Sequence, residues 1–144
     1  MRSIKFRAWD GKKWVYGSLI RHTNEYVKKG YSISIAPDCP PNEITLTNKN
    51  RIDICAIHCE SGTEGQYTGL KDKNGKEIYD GDKLQWDEDC PVHEEIETII
   101  TEVIFATNYA MFRLNGVGPL HAIVEKYNVE IIGNIHENPE LLDG

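Results

Sequence analysis

The chain has 144 residues, 40% of them hydrophobic and 27% charged, with a net charge of -7. That is enough sequence to bury a core without disulfide staples. The longest apolar runs are only a few residues and the amino terminus alternates charged with apolar residues, so neither a membrane-spanning helix nor a secretory leader is expected and the cytoplasm is the expected compartment. The charge is unevenly placed. Residues 1–30 hold eight Lys or Arg against two acids, and the remainder holds eight against twenty-one. Such polarity suits packing within the chain, head-to-tail self-association, or a basic face for an anionic partner.

In chain order, Ile4-Lys5-Phe6-Arg7-Ala8 alternates with period two, and Asp10-Gly11 supplies a turn before Lys13-Trp14-Val15-Tyr16. This predicts an amino-terminal hairpin with an aromatic-rich face. Tyr31 to Ile35 alternates in the same way, and the prolines at 37, 40 and 41 end it, because proline offers no ladder donor. Ile44 to Leu46 and Ile52 to Ile57 read as two short strands, and Ser61 to Gly65 as a linker.

After the linker, Asn74-Gly75 predicts a two-residue type I′ hairpin, and Tyr79-Asp80-Gly81-Asp82 a second turn leading into a strand with Leu84 and Trp86 on one side. Asp87-Glu88-Asp89 reads as a solvated loop. Ile96 to Ile104 fits a helical face as well as a strand, but its β-branched residues favour a strand, paired with Tyr109 to Leu114. A helical turn is expected near His121 to Lys126, and a last strand from Val129 to Ile135. Asn138-Pro139 has the form of an N-cap and first helical residue, which predicts a short helix over 139–142. Short strands at regular intervals predict a mainly β protein with barrel-like, SH3-like subdomains of antiparallel hairpins and one or two short helices. Residues 1–60 form the basic, aromatic-rich part, and residues 61–144 the acidic part.

Candidate chemistry is sparse. Cys55, His58 and Cys59, with Cys39 and Cys90, lack the paired spacing of a structural zinc site. Asp72-Lys73-Asn74-Gly75 resembles the start of a calcium loop, but Lys76 and Glu77 stand where that loop needs a ligand and a glycine. The glycines at 62, 65 and 69 have no accompanying Lys and Ser or Thr for a phosphate-cradling loop, and no Ser or Cys occupies a nucleophile turn. No metal or cofactor is expected. Lys5, Arg7, Trp9, Lys12, Lys13 and Trp14 interleave cations with rings, the ingredients of a single-stranded nucleic-acid surface.

Three segments, IKFRAWDGKKWVYGSL near the amino terminus, QYTGLKDKNGKEIYDGDKL in the middle and YNVEIIGNIHENPELL near the carboxy terminus, resemble the YopX family encoded by phages and prophages of Gram-positive bacteria. The resemblance spans nearly the whole chain. It implies a mainly β fold with barrel-like subdomains and a tendency to self-associate, and it carries over no catalytic residue. Thr68, Gly69, Asp72, Gly75, Gly81 and Asp82 of the central signature are turn formers. Tyr67, Leu70 and Tyr79 are left to pack beneath the turns or to meet a partner. The leading expectation is a non-catalytic phage accessory protein that oligomerises and binds a host or phage macromolecule, away from the membrane. Its rivals are a single-stranded nucleic-acid binder using the amino-terminal hairpin and a small metal-dependent enzyme built on Cys55, Cys59 and Asp82.

Overall fold

The computed structural model describes residues 4–22, 32–37, 46–47, 51–52, 56–92 and 95–137. By backbone contacts the chain divides into two compact units, Ser3–Gln66 and Tyr67–Gly144.

In the first unit the predicted hairpin forms β1 (Phe6–Trp9) and β2 (Trp14–His22), paired from Phe6↔Gly17 to Trp9↔Trp14. Asp10 closes it: its Oδ1 accepts the Lys12 and Lys13 backbone N–H groups at 2.8 and 2.9 Å. Those two bonds, Lys13's the stronger influence, hold the Asp10 carboxyl below the usual carboxylate range. β3 (Ser32–Pro37) lies against β2, and β6 (Ile57–Cys59) against β3. β4 (Leu46–Thr47) and β5 (Arg51–Ile52) form a separate two-stranded ladder. Because residues directly opposite on paired strands share a face, Ala8, Val15, Ile33, Ile35 and Cys59 gather into one buried cluster, with Phe6 and Leu19 packed against it. The opposite face of β1 and β2 carries Arg7, Trp9, Trp14 and Tyr16.

β7 (Gly65–Lys71) straddles the boundary, pairing Gly65 and Gln66 with β1 and, from Tyr67 onward, running alongside β8 (Glu77–Tyr79). The second unit then builds a five-stranded antiparallel sheet in the order β12 (Gly118–Pro119), β11 (Met111–Leu114), β10 (Glu95–Ala106), β9 (Asp82–Cys90), β13 (Glu130–Asn134). Its core contains Ile78, Leu84, Trp86, Val103, Phe112, Leu114, Leu120 and Val129. α1 (Leu120–Lys126) turns Leu120, Ile123 and Val124 toward that core, followed by Tyr127, the i, i+3, i+4, i+7 spacing of an amphipathic helix. No helix among the described residues is long and apolar enough to cross a membrane.

The fold is mainly β as the sequence predicts, but its sheets are open antiparallel layers and no barrel closes among the described residues. Three local readings also change. The Asn74-Gly75 turn is wider than type I′: Gly75 N–H donates to the Asp72 carbonyl and Asp72 N–H to the Lys76 carbonyl, and only Gly75 has positive φ, at 79°. That is the three-residue loop with a left-handed last position. The Asp72 side chain selects it by accepting the Asn74 and Lys76 N–H groups, both at 2.9 Å. Asp87-Glu88-Asp89 is strand, the outer half of β9, paired with Thr98, Glu97 and Ile96. The region predicted as one strand from Ile52 to Ile57 contributes β5 and β6, which lie in different ladders. The helix expected over 139–142 lies outside the described residues, as do Ile44 and Thr45.

Candidate interaction surface

The central signature is an internal clasp. Asp72 is buried, and besides holding its own turn its Oδ2 accepts the Ile131 N–H of β13 at 3.2 Å, while Lys73 N–H donates to the Val129 carbonyl at 2.9 Å. Asp82 Oδ2 accepts the Tyr79 N–H at 2.8 Å across the next turn. The Thr68 hydroxyl donates to the Ile78 carbonyl and accepts the Leu70 N–H, bridging an irregularity in the β7 and β8 pairing. The carboxy-terminal signature works in the same manner: Asn134 Oδ1 accepts the His136 and Glu137 N–H groups, and its Nδ2 donates to Glu137 Oε2.

Tyr67 and Tyr79 accordingly lie inside, with ring centroids 5.5 Å apart and Tyr79 only 2% exposed. Of the three surface candidates, Leu70 alone is half-exposed. It and Thr68 line a cleft of about 250 Å³ completed by Phe105, Ala110, Met111, Phe112, Leu120 and His121. Phe105 and Phe112 meet edge to face at 5.2 Å in its wall.

A second exposed apolar surface lies elsewhere in this unit. β9 and β10 pair continuously from Glu102↔Lys83 out to Glu95↔Cys90, but β13 covers β9 only from Asp82 to Gln85, and β11 covers β10 only from Val103 to Ala106. The outer parts of the two strands therefore project as an arm with no other strand alongside among the described residues. Ile96 is 71% exposed and Ile100 40%, both on one face of β10, and Val92 at the tip is 77% exposed. Around them stand Asp87, Glu88, Asp89, Glu95 and Glu97, and no Lys or Arg occurs between Lys83 and Arg113. Thr98 Oγ1 donates to Asp87 Oδ1 at 2.6 Å and Trp86 Nε1 to Glu88 Oε1 at 2.8 Å, and among the described residues Asp89, Glu95 and Glu97 make no side-chain bond. Sequence reasoning passed over this arm because its charges suggested a loop. The signal that marks it is the alternation Ile96, Thr98, Ile100 beside the acidic run.

In the first unit the cationic and aromatic residues are divided. Trp9 and Trp14 meet edge to face at 5.5 Å, and Arg7, only 5% exposed, places its guanidinium carbon 4.5 Å from the Trp14 ring centroid. Lys5 is half-buried, and Lys12 and Lys13 are exposed in the β1–β2 turn. Arg21 lies 3.5 Å from Glu64. Register thus sets three rings on the same face as Arg7, but the arginine serves the ring and is not turned to solvent.

Two of the residues considered for metal, Cys59 and Asp82, are engaged otherwise. Cys59 is buried, its Sγ donates to the Ile57 carbonyl, and burial pushes its thiol pKa up. Asp82 holds its turn, and Cys39 and Cys55 lie outside the described residues. No cluster of three or more His, Cys, Asp or Glu suited to a metal occurs among the described residues.

A family model described as YopX protein matches residues 5–143, nearly the whole chain. The crystal structure of protein EF1440 from Enterococcus faecalis is similar at 27% identity and a TM-score of 0.56, over 99% of both chains. No curated protein matches.

Proposed function

The chain belongs to the YopX family, and from that premise we propose that it is a non-catalytic phage accessory protein that self-associates head to tail. The acidic β9–β10 arm of one copy meets the basic amino-terminal region of the next. The observation that carries this reading is the arm itself, a two-stranded projection with no other strand alongside among the described residues, on which exposed Ile96 and Ile100 stand among carboxylates. A two-fold pairing of arms would set acid against acid, whereas residues 1–30 hold eight bases and two acids, with Lys12, Lys13 and Arg21 exposed. Unlike surfaces joined in this way give a ring or an open chain. Light scattering across micromolar concentrations is expected to show a mass above the monomer that falls as salt screens the contact. Glu95→Lys combined with Glu97→Lys is expected to weaken association by about ten-fold. A strict monomer at every concentration and salt would rule the reading out.

A second reading rests on the shared face of Trp9, Trp14 and Tyr16 beside the exposed Lys12 and Lys13. Stacking rings with nearby cations bind single-stranded nucleic acid. On this reading an oligothymidylate quenches tryptophan fluorescence in a salt-sensitive manner, and Trp14→Ala or reversal of both lysines weakens the effect. Equal quenching in the variants, or none in the parent, would remove it.

A further inference from the structure

We propose that the outer edge of β10, Glu95–Ile100, takes up an extended segment of a separate protein by strand addition, a segment in which Lys or Arg alternates with branched aliphatic residues. This rests on the reading of the arm as the interaction surface, and it adds a partner and a mode of binding.

The edge is long for one without a neighbour among the described residues. β11 pairs with β10 only from Val103 to Ala106, and a further bond runs from Asn115 N–H to the Glu102 carbonyl. Six residues before that point are held in strand conformation by β9 on the other side, with a continuous register. In an antiparallel ladder every second residue turns both its N–H and its C=O to the same edge, so six residues offer about six main-chain bonds to a newcomer.

The side chains specify the newcomer's pattern. One face of the edge presents Glu95 and Glu97, with Glu88 beyond them on β9, and the other presents Ile96, Thr98 and Ile100. Residues opposite on neighbouring strands share a face and interact, so cations belong opposite the glutamates and aliphatic side chains opposite the isoleucines. Exposed edges generally invite pairing with identical edges and are guarded by charge. Here the guard is negative throughout, so it repels a second β10 and attracts a basic strand.

Among the described residues, the amino-terminal segment of that pattern is already in use. Ile4-Lys5-Phe6-Arg7-Ala8 alternates suitably, but β1 is paired with β2 on one edge and, through Phe6 and Arg7, with β7 on the other. With β1 occupied, the segment is assigned to another protein.

The test uses the full chain and the blocked peptide Lys-Val-Lys-Val-Lys-Val-Lys, compared with the same sequence carrying a methyl group on every backbone nitrogen. The charge is the same in both, but the second peptide has no donors for a ladder. Strand addition predicts binding of the first, at least about ten-fold weaker binding of the second, and slowed hydrogen exchange at the amides of Glu95–Ile100. Glu95→Lys with Glu97→Lys is expected to abolish binding of the first peptide. Equal affinity for both peptides would overturn strand addition while leaving the arm as a charged surface. Failure of both to bind would also overturn it, and self-association is judged separately by the salt-dependent mass.

Discussion

Gly17→Ala is expected to cost about 3–4 kcal/mol of stability, or to prevent folding of the first unit, the range found when a side chain is forced against backbone at a strained position. Gly17 lies in β2 opposite Pro37 of β3 with φ of 153°. A Cβ built there would stand 2.0 Å from the Ala36 carbonyl oxygen and 2.9 Å from the Pro37 Cα. Both are main-chain atoms, so no side-chain rotation relieves the clash, and β2 would have to part from β3. Gly75→Ala is the control. Its φ is also positive, but nothing lies within 4 Å of the added carbon, and the expected cost is about 1 kcal/mol from the backbone conformation alone. Urea unfolding of both variants measures the difference. Equal midpoints would show that β2 and β3 are not packed this closely.

Asp72→Ala is expected to lower stability by about 2–3 kcal/mol, because one buried carboxylate holds three N–H groups, those of Asn74, Lys76 and Ile131. Water can replace it at the exposed Asn74 and Lys76. At Ile131 the loss is larger, since that bond joins the hairpin turn to β13 across 59 residues of sequence. Asp72→Asn separates the two roles. An amide oxygen can still serve the turn, but its NH₂ would face the Ile131 N–H, and roughly half of the loss is expected. The change should appear in hydrogen exchange at Lys73 and Ile131 as well as in the unfolding midpoint. Faster exchange at Asn74 alone would reduce Asp72 to a turn residue.

Much of this architecture was legible because it depends on short-range pattern. Asp10-Gly11 marks the first hairpin, the β-branched run from Ile96 to Ile104 marks β10, and the helical turn expected near His121 to Lys126 proves to be α1. The family signature was equally legible, and its residues prove to be the clasp holding the second unit. What escaped depends on distant partners. Asp87 to Asp89 form strand because β10 pairs with them, although in an arm detached from the core no apolar alternation is required. The wall of the cleft unites Thr68 and Leu70 with Phe105, Phe112 and Leu120, which no local spacing connects. Arg7 alternates like a surface cation, yet it is buried against Trp14. Closure of a sheet into a barrel is likewise set by which edges meet, and strand propensity carries no information about that.

Head-to-tail association is tested most directly by carbodiimide coupling of an equal mixture of ¹⁴N- and ¹⁵N-labelled protein, followed by mass spectrometry of the cross-linked peptides. The proposal predicts mixed-isotope links that join Lys12 or Lys13 of one copy to Asp89, Glu95 or Glu97 of another and that vanish at high salt. Links confined to single-isotope pairs, or mixed pairs that avoid the arm altogether, would contradict it.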